Sequence, residues 1–277
     1  AKFLAISGII LPMLPHKNLI PDINLTPYSI WLATVVVSGI SYLSYLLKRY
    51  VFHESGTLVS GIIGGLYSST ATISVLARKS RKASELEATD YVAAMLLAVS
   101  MMFLRFMILI LIFSREIFLS IYPYLLTMAV VAAIVAWFIH SRQKRPEDQP
   151  AETEEDDSSN PLEFKVALIF AVLFVIFTFL THYTLVYAGT GGLNLLSFVS
   201  GFSDITPFIL NLLQNTGSVA ALIITACSMQ AIISNIMVNM FYALFFAGKG
   251  SKLRPWILGG FGVVITCNLV LLLFFYI

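Results

Sequence analysis

Charged residues are scarce in this sequence: they occupy 12% of its 277 positions, whereas apolar residues occupy 58%. An ordinary soluble domain carries about 25% charged residues, because its core needs a charged surface around it. A membrane protein does not need that surface, since the outer faces of its helices contact lipid. The composition therefore excludes an ordinary soluble domain and predicts a membrane protein.

The sequence also lacks the patterns that most enzymes, metal centres and nucleic-acid-binding proteins require. Its two cysteines, Cys227 and Cys267, lie in apolar runs and are expected to be buried thiols rather than a disulfide or a metal site. The four histidines are scattered, and no CxxC, HExxH, GxSxG or P-loop pattern occurs. We therefore expect no enzyme activity, no cofactor and no nucleic-acid partner.

Long apolar segments, by contrast, recur along the whole chain. Most of them reach the ~20 residues that a helix needs to cross ~30 Å of hydrocarbon. We predict an all-α, polytopic membrane protein whose apolar segments are 3–14, 27–47, 56–77, 91–113, 117–140, 162–188, 193–213, 218–247 and 255–277.

Two of these segments, 56–77 and 193–213, are interrupted where a spanning helix should be most apolar. The first contains Gly64 and Gly65 followed by hydroxyl residues, and the second contains the polar run 200–207 (SGFSDITP). Irregular backbone at membrane depth is tolerated only where it is buried in protein or lines a wet cavity. Both segments are predicted to be broken, re-entrant helices.

The distribution of basic residues distinguishes re-entrant from crossing segments, because lysine and arginine concentrate on the cytoplasmic side. If both segments turn back, only Lys17 and Arg115 lie outside and Arg105 lies within the membrane. If both cross, the basic residues divide almost evenly. The re-entrant arrangement places the following residues together in the cytoplasm: Lys2, Lys48, Arg49, Arg78, Lys79, Arg81, Lys82, Arg142, Lys144, Arg145, Lys165, Lys249, Lys252 and Arg254.

This topology makes residues 27–140 and 162–277 two inverted copies of one unit, in which one span is followed by a re-entrant hairpin and two further spans. A repeated motif, VAAMLL at 92–97 and VAALII at 219–224, supports the relation. Residues 1–26 form a short N-terminal segment, and the acidic stretch 141–161 is predicted to be a disordered cytoplasmic linker. Inverted repeats with broken helices are typical of secondary transporters.

Only two ionisable side chains, Asp204 and Arg105, fall well inside the predicted spans. A charge at membrane depth is costly unless it is paired or hydrated, so each is a candidate functional residue. Asp204 is either an ion or proton ligand, a helix cap, or a structural partner of Arg105. Arg105 either binds an anion, serves as a counter-charge for Asp204, or forms a purely structural ion pair.

Hydroxyl and amide residues complete the predicted ion-binding site. Hydroxyls can replace part of the hydration shell of an ion, and a half-helix that begins at a break directs its amides to the same place. The alternative is that small hydroxyl residues only let helices pack closely. Besides Asp204 and Arg105, the candidates are Ser68, Ser69, Thr70, Thr72, Ser203, Thr206 and Asn235.

The run GIIGGLYSSTAT at 61–72 resembles a known family, the transmembrane domain of unknown function found C-terminal to MgtC/SapB-type domains in prokaryotic membrane proteins. The Leu104-Arg105 pair, the turn 201–204 (GFSD) and the Ser234-Asn235 pair are also similar to that family. The chain departs from the family pattern at Asn239, where a lysine is frequent, and at 206–207. The resemblance implies a prokaryotic membrane location and a link to ion homeostasis.

The combined predictions favour a transporter or channel for a small ion, with a cation slightly favoured and an anion left open. The alternative is a non-transporting membrane subunit that regulates a partner in ion homeostasis, in which Asp204 and Arg105 pair directly. The expected location is the prokaryotic inner or plasma membrane. The expected partners are the lipid bilayer and a small ion or solute, and a homo-oligomer and an N-terminal domain preceding Ala1 remain open.

Overall fold

A computed structural model describes residues 7–21, 23–51, 56–81, 85–142, 164–214, 219–248 and 251–276. Within these ranges all the regular elements are helical, which confirms the all-α prediction. The α-helices are α1 (Pro27–Leu46), α2 (Thr57–Lys79), α3 (Glu85–Phe113), α4 (Arg115–Ser141), α5 (Phe164–Ser200), α6 (Ile205–Gln214), α7 (Ala221–Ala247) and α8 (Arg254–Tyr276). Short turns of 3₁₀- and π-helix lie at Leu11–Met13 and Leu47–Val51.

Seven of these helices are long and apolar enough to cross a membrane, and the shorter α6 is the exception in the described ranges. This agrees with a multi-pass membrane protein. The predicted linker 141–161 lies outside the described residues, except for its first two positions. Residues 3–6 of the first apolar segment also lie outside them. The predicted repeat boundaries remain predictions.

Local sequence explains where the spans begin. The Thr26 hydroxyl accepts a hydrogen bond from the Ser29 amide at 3.0 Å, and the Ser29 hydroxyl accepts one from the Thr26 amide at 3.1 Å. This reciprocal capping, with Pro27 at the first helical position, starts α1. Ser114 caps α4 with a single hydrogen bond, its hydroxyl accepting from the Ile117 amide at 3.3 Å.

Helices α3 and α7 form the centre of the molecule. In the most apolar stretch of α7, 67% of the residues are buried, and in that of α3, 56% are buried. The corresponding share in the other long helices is 28% to 39%. Helix α3 packs against α2 and α4, whereas α7 packs against α2, α5 and α8. The hairpin-forming segments therefore lie against the two most buried helices.

The C-terminal end of α2 is joined to the C-terminal end of α7. The Arg81 guanidinium donates hydrogen bonds to the Phe245 carbonyl at 3.2 Å and to the Phe246 carbonyl. The Arg78 guanidinium lies 4.3 Å from the centre of the Phe246 ring. The last carbonyls of a helix lack partners within the helix and carry partial negative charge, so a cation there stabilises the helix end.

Replacing Arg81 with alanine should therefore loosen the end of α7 by about 1 kcal/mol, because two carbonyls lose their donor. Hydrogen exchange of the amides at 240–248 should become faster. Arg142→Ala is the matched control, since Arg142 is also exposed and lies over the Phe138 ring at 4.6 Å. Equal exchange of the α7 end in the two variants would contradict the capping role of Arg81.

Candidate functional site

The break in α2 lies at Ser68, whose backbone is extended (φ −159°, ψ 107°) between two helical halves. The Ser68 hydroxyl accepts a hydrogen bond from the Ala71 amide at 3.3 Å, so it caps the second half-helix. A Cβ atom added to Gly64 would lie 2.5 Å from the Thr72 Oγ1. Residues eight apart in a continuous helix are about 12 Å apart. The chain therefore turns back on itself at Ser68.

The second break follows α5. That helix bends at Gly189, whose φ of 59° lies in the left-handed region that glycine adopts without steric cost. Residues 190–200 form a half-helix beyond this bend, and the turn 201–204 separates it from α6. The Asp204 Oδ1 accepts a hydrogen bond from the Thr206 amide at 2.9 Å, which caps α6. Each break thus ends in a capped half-helix.

The first half-helix of α2 lies directly against α3 through small residues. A Cβ on Gly61 would collide with the backbone of Ala94, and one on Gly65 would lie 2.5 Å from the Ala98 Cα. The numbers of the contacting residues rise together along the two helices. The half-helix before the break therefore runs parallel to the span that follows it.

The second half of the chain repeats this arrangement with polar contacts. The Cys227 Sγ lies 3.4 Å from the Asn194 Oδ1, and the Ser197 Oγ lies 2.8 Å from the Gln230 Oε1. These pairs are 33 residues apart, as are the glycine–alanine pairs of the first half. A segment that crossed the membrane would place the following span antiparallel to its first half. The parallel direction is the one that re-entrant segments require.

The shared spacing also defines how the two halves correspond. If the breaks at Ser68 and Gly201 are aligned, Ala94 of α3 corresponds to Cys227 of α7. The repeated sequence motif instead pairs Ala94 with Ala221. The two alignments differ, so the motif does not mark equivalent positions in the fold. The inverted repeat itself stays a prediction.

Arg105 of α3 connects the two breaks. Its Nη1 donates a hydrogen bond to the Tyr67 carbonyl at 2.8 Å, and its Nη2 donates to the Thr206 Oγ1 at 3.4 Å. The residue is only 8% exposed, and its Nε has no hydrogen-bond partner in the described part of the chain. Tyr67 directly precedes the first break and Thr206 begins the return after the second. The turns at Ser68 and at 201–204 are the tips of the two hairpins, and the guanidinium therefore lies between these two tips.

Asp204 lies on the exposed side of the second tip, the turn 201–204. Its carboxylate is close enough to attract Arg105 electrostatically. No ion pair within 4.0 Å joins the two, however, among the ion pairs of the described residues. Asp204 and Ser203 are both exposed, and the Ser203 hydroxyl donates to the Ser200 carbonyl at 3.2 Å. Of the predicted roles of Asp204, helix capping is the one that a hydrogen bond supports.

The predicted hydroxyl ligands of the first half have different surroundings. Ser69 is buried, Ser68 and Thr70 are half-buried, and Thr72 lies against the inner face of the hairpin. No hydrogen bond within the described ranges joins any of them to Asp204. Nor do the described residues include three His, Cys, Asp or Glu side chains close enough together to hold a metal ion. Arg105 is bonded to both tips, and the hydroxyl ligands remain a prediction.

Asn235 of α7 holds the second tip from the inside. Its Nδ2 donates to the Gly201 carbonyl at 3.1 Å and lies 3.5 Å from the Ser203 carbonyl. Its Oδ1 accepts a hydrogen bond from the Asn239 Nδ2 at 3.1 Å. A Cβ on Gly201 would lie 2.8 Å from the backbone nitrogen of Asn235 and would collide with the Ser234 side chain. Only glycine fits there, and Asn235 supplies the donor for the turn.

Two groups at the site were not among the predicted residues. The Tyr67 carbonyl accepts from Arg105, but every residue carries a carbonyl and nothing in the sequence distinguishes this one. The second group is the Asn239 amide, which donates to the Asn235 Oδ1. Its position four residues after Asn235 places both amides on one helix face, and that spacing could have shown that they interact.

Comparisons with known proteins place the chain in a family. A protein of Aquifex aeolicus (strain VF5), described as an "Uncharacterized protein", is 25% identical over 227 residues, which cover 80% of this chain and 96% of the relative. No solved structure matches. The model of a domain of unknown function, DUF4010, matches residues 35–247, a range that contains both breaks, Arg105 and Asn235, and the chain therefore belongs to the DUF4010 family.

Proposed function

We propose that this protein is a transporter or channel for a small ion, with its binding site where the two broken segments meet. The observation that carries the proposal is the position of Arg105, whose guanidinium contacts the Tyr67 carbonyl of one tip and Thr206 of the other. Broken helices that meet inside the membrane are the usual construction of ion and substrate sites in secondary transporters.

The depth of the charges supports this assignment. Arg105 lies within the candidate span Thr89–Phe113, and the second tip is bonded to Asn235 near the middle of α7. Asp204 on that tip is exposed. An ionised carboxylate in contact with hydrocarbon is costly, so an exposed one at this depth indicates water beside it. Water beside Asp204 would give an ion access to the second tip.

The finer predictions from the sequence belong to this proposal. We infer a prokaryotic inner or plasma membrane location, with the basic helix ends and the linker 141–161 in the cytoplasm, from the distribution of lysine and arginine. The bacterial relative is consistent with this location. The hydroxyls of Ser68, Ser69, Thr70 and Thr72 would line the approach along the first hairpin. The sequence alone slightly favoured a cation, because Asp204 is a carboxylate.

The alternative function is a membrane subunit that regulates a partner, in keeping with the resemblance to proteins that carry MgtC/SapB-type domains. That alternative predicts a direct pair between Asp204 and Arg105. The two attract each other but are not within 4.0 Å, so we place this function second.

The test is an ion-flux assay on the full chain in proteoliposomes with gradients of Na⁺, K⁺, H⁺, Mg²⁺ and Cl⁻. We expect flux of at least one ion above that of empty liposomes. Asp204→Asn should change that flux about tenfold, because it removes the negative charge that attracts Arg105. Glu116→Gln is the matched control, since Glu116 is an exposed acid in the first turn of α4. Folded protein that moves none of these ions would refute the proposal.

A further inference from the structure

We propose that the site between the tips binds a small inorganic anion, with Arg105 as its principal ligand. The inference rests on the proposed function in that it names the class of ion for the same site. It reverses the slight preference for a cation that the sequence suggested.

The first observation is the unused donor of Arg105. The side chain is 8% exposed, two of its nitrogens are hydrogen-bonded to the tips, and its Nε has no partner in the described part of the chain. A buried donor without an acceptor is costly, and a guanidinium is well suited to hold an anion through adjacent N–H groups. An anion at Nε would satisfy this donor and neutralise a buried charge.

The second observation is the direction of the half-helices. Both returning half-helices, 69–79 and α6, begin at the tips that Arg105 contacts. The N-terminus of a helix carries partial positive charge, which favours anions, and Ser68 and Asp204 each cap one amide at these two ends. Together with the buried guanidinium, two such ends contribute positive charge to the site, which favours an anion.

Asp204 supplies the opposing charge, and its geometry indicates its role. Its carboxylate caps α6 through the Thr206 amide and attracts Arg105, so it occupies the place of an anion at that helix end. A substrate anion must therefore compete with Asp204 for the same positive groups. Removal of the Asp204 charge should strengthen anion binding, whereas it would abolish binding at a cation site.

The experiment measures binding and flux on the same purified full chain. Binding is followed as thermal stabilisation in detergent by sodium chloride, nitrate, bicarbonate or phosphate, with sodium gluconate as the control for ionic strength. We expect at least one of these anions to stabilise the wild type. Asp204→Asn should bind it about tenfold more tightly, and Arg105→Gln about tenfold more weakly or not at all. Glu116→Gln should match the wild type.

Arg105→Lys covers the case in which Arg105→Gln does not fold. Lysine keeps the charge but has neither the forked geometry nor the Nε–H, so weaker anion binding by this variant would still support the proposal. The response of Asp204→Asn is a further test that leaves Arg105 unchanged. Weaker anion binding by Asp204→Asn would overturn the anion assignment.

The remaining outcomes separate this inference from the proposed function. Cation flux that Asp204→Asn abolishes, without stabilisation by any anion, overturns the anion site and keeps the transporter. Anion binding that depends on Arg105, without flux of any ion, keeps the site and refutes the transporter. If no anion stabilises the folded wild type, a water molecule suffices to satisfy the Arg105 Nε, and the inference is wrong.

Discussion

Gly65→Ala, a single methyl addition in the first hairpin, should destabilise the protein. The new Cβ would lie 2.5 Å from the Ala98 Cα and 2.7 Å from the Ala98 carbonyl oxygen, and both are backbone atoms of the buried helix α3. Neither atom can move without shifting a helix. Overpacking of this kind costs about 1–3 kcal/mol, which lowers the melting temperature by roughly 3–10 °C.

Gly262→Ala is the matched control for this prediction. Gly262 lies in α8, and a Cβ added there meets no heavy atom within 4 Å. Alanine is a better helix former than glycine, so this variant should be as stable as the wild type or more stable by up to about 1 kcal/mol. Both melting temperatures can be read from circular dichroism in the same detergent. If the two variants melt together, α2 and α3 are not in backbone contact at Gly65.

Asn235→Leu should release the tip of the second hairpin. The substitution removes the donor to the Gly201 carbonyl and the acceptor for the Asn239 amide, and all three residues are buried. Each buried polar group left without a partner costs about 1–3 kcal/mol. The amides of 201–206 should exchange hydrogen faster. The positions of Thr206 and Asp204 relative to Arg105 should become less well defined, so ion flux should fall.

Met237→Leu provides the comparison, because Met237 is on the same helix but faces outward with 41% exposure. It should leave both the exchange of 201–206 and the flux unchanged. Hydrogen-exchange mass spectrometry of the two variants measures the local effect, and the proteoliposome assay measures the functional one. Retained protection of 201–206 in Asn235→Leu would mean that Asn235 does not hold the turn.

Most of the helical architecture could be predicted because it depends on local sequence. The apolar segments 117–140 and 255–277, for example, became α4 (Arg115–Ser141) and α8 (Arg254–Tyr276). The two interruptions were also predicted, since small and polar residues within an apolar run are visible without a structure. The predicted gap between segments 162–188 and 193–213 coincides with the bend at Gly189, beyond which residues 190–200 form a half-helix.

The site was predicted only in part, and the reason is physical. Arg105 and Asp204 could be singled out because a charge inside an apolar span is unusual wherever it lies in three dimensions. Their relation could not be predicted, since it depends on which groups the fold brings to the guanidinium. A backbone carbonyl and a threonine hydroxyl are within hydrogen-bond distance, whereas the Asp204 carboxylate is not within 4.0 Å.

The sequence by itself determined that this is an all-α membrane protein with two interrupted helices and two charged residues within otherwise apolar segments. These properties follow from hydropathy and from the cost of polar groups in lipid, both of which act residue by residue. Only the tertiary structure decided that the two tips meet at Arg105, that Asp204 is an exposed cap and that Asn235 holds the turn. The contacts of Arg105 and Asn235 join residues more than thirty positions apart, and only the packing of the small-residue faces of the half-helices against α3 and α7 brings them together.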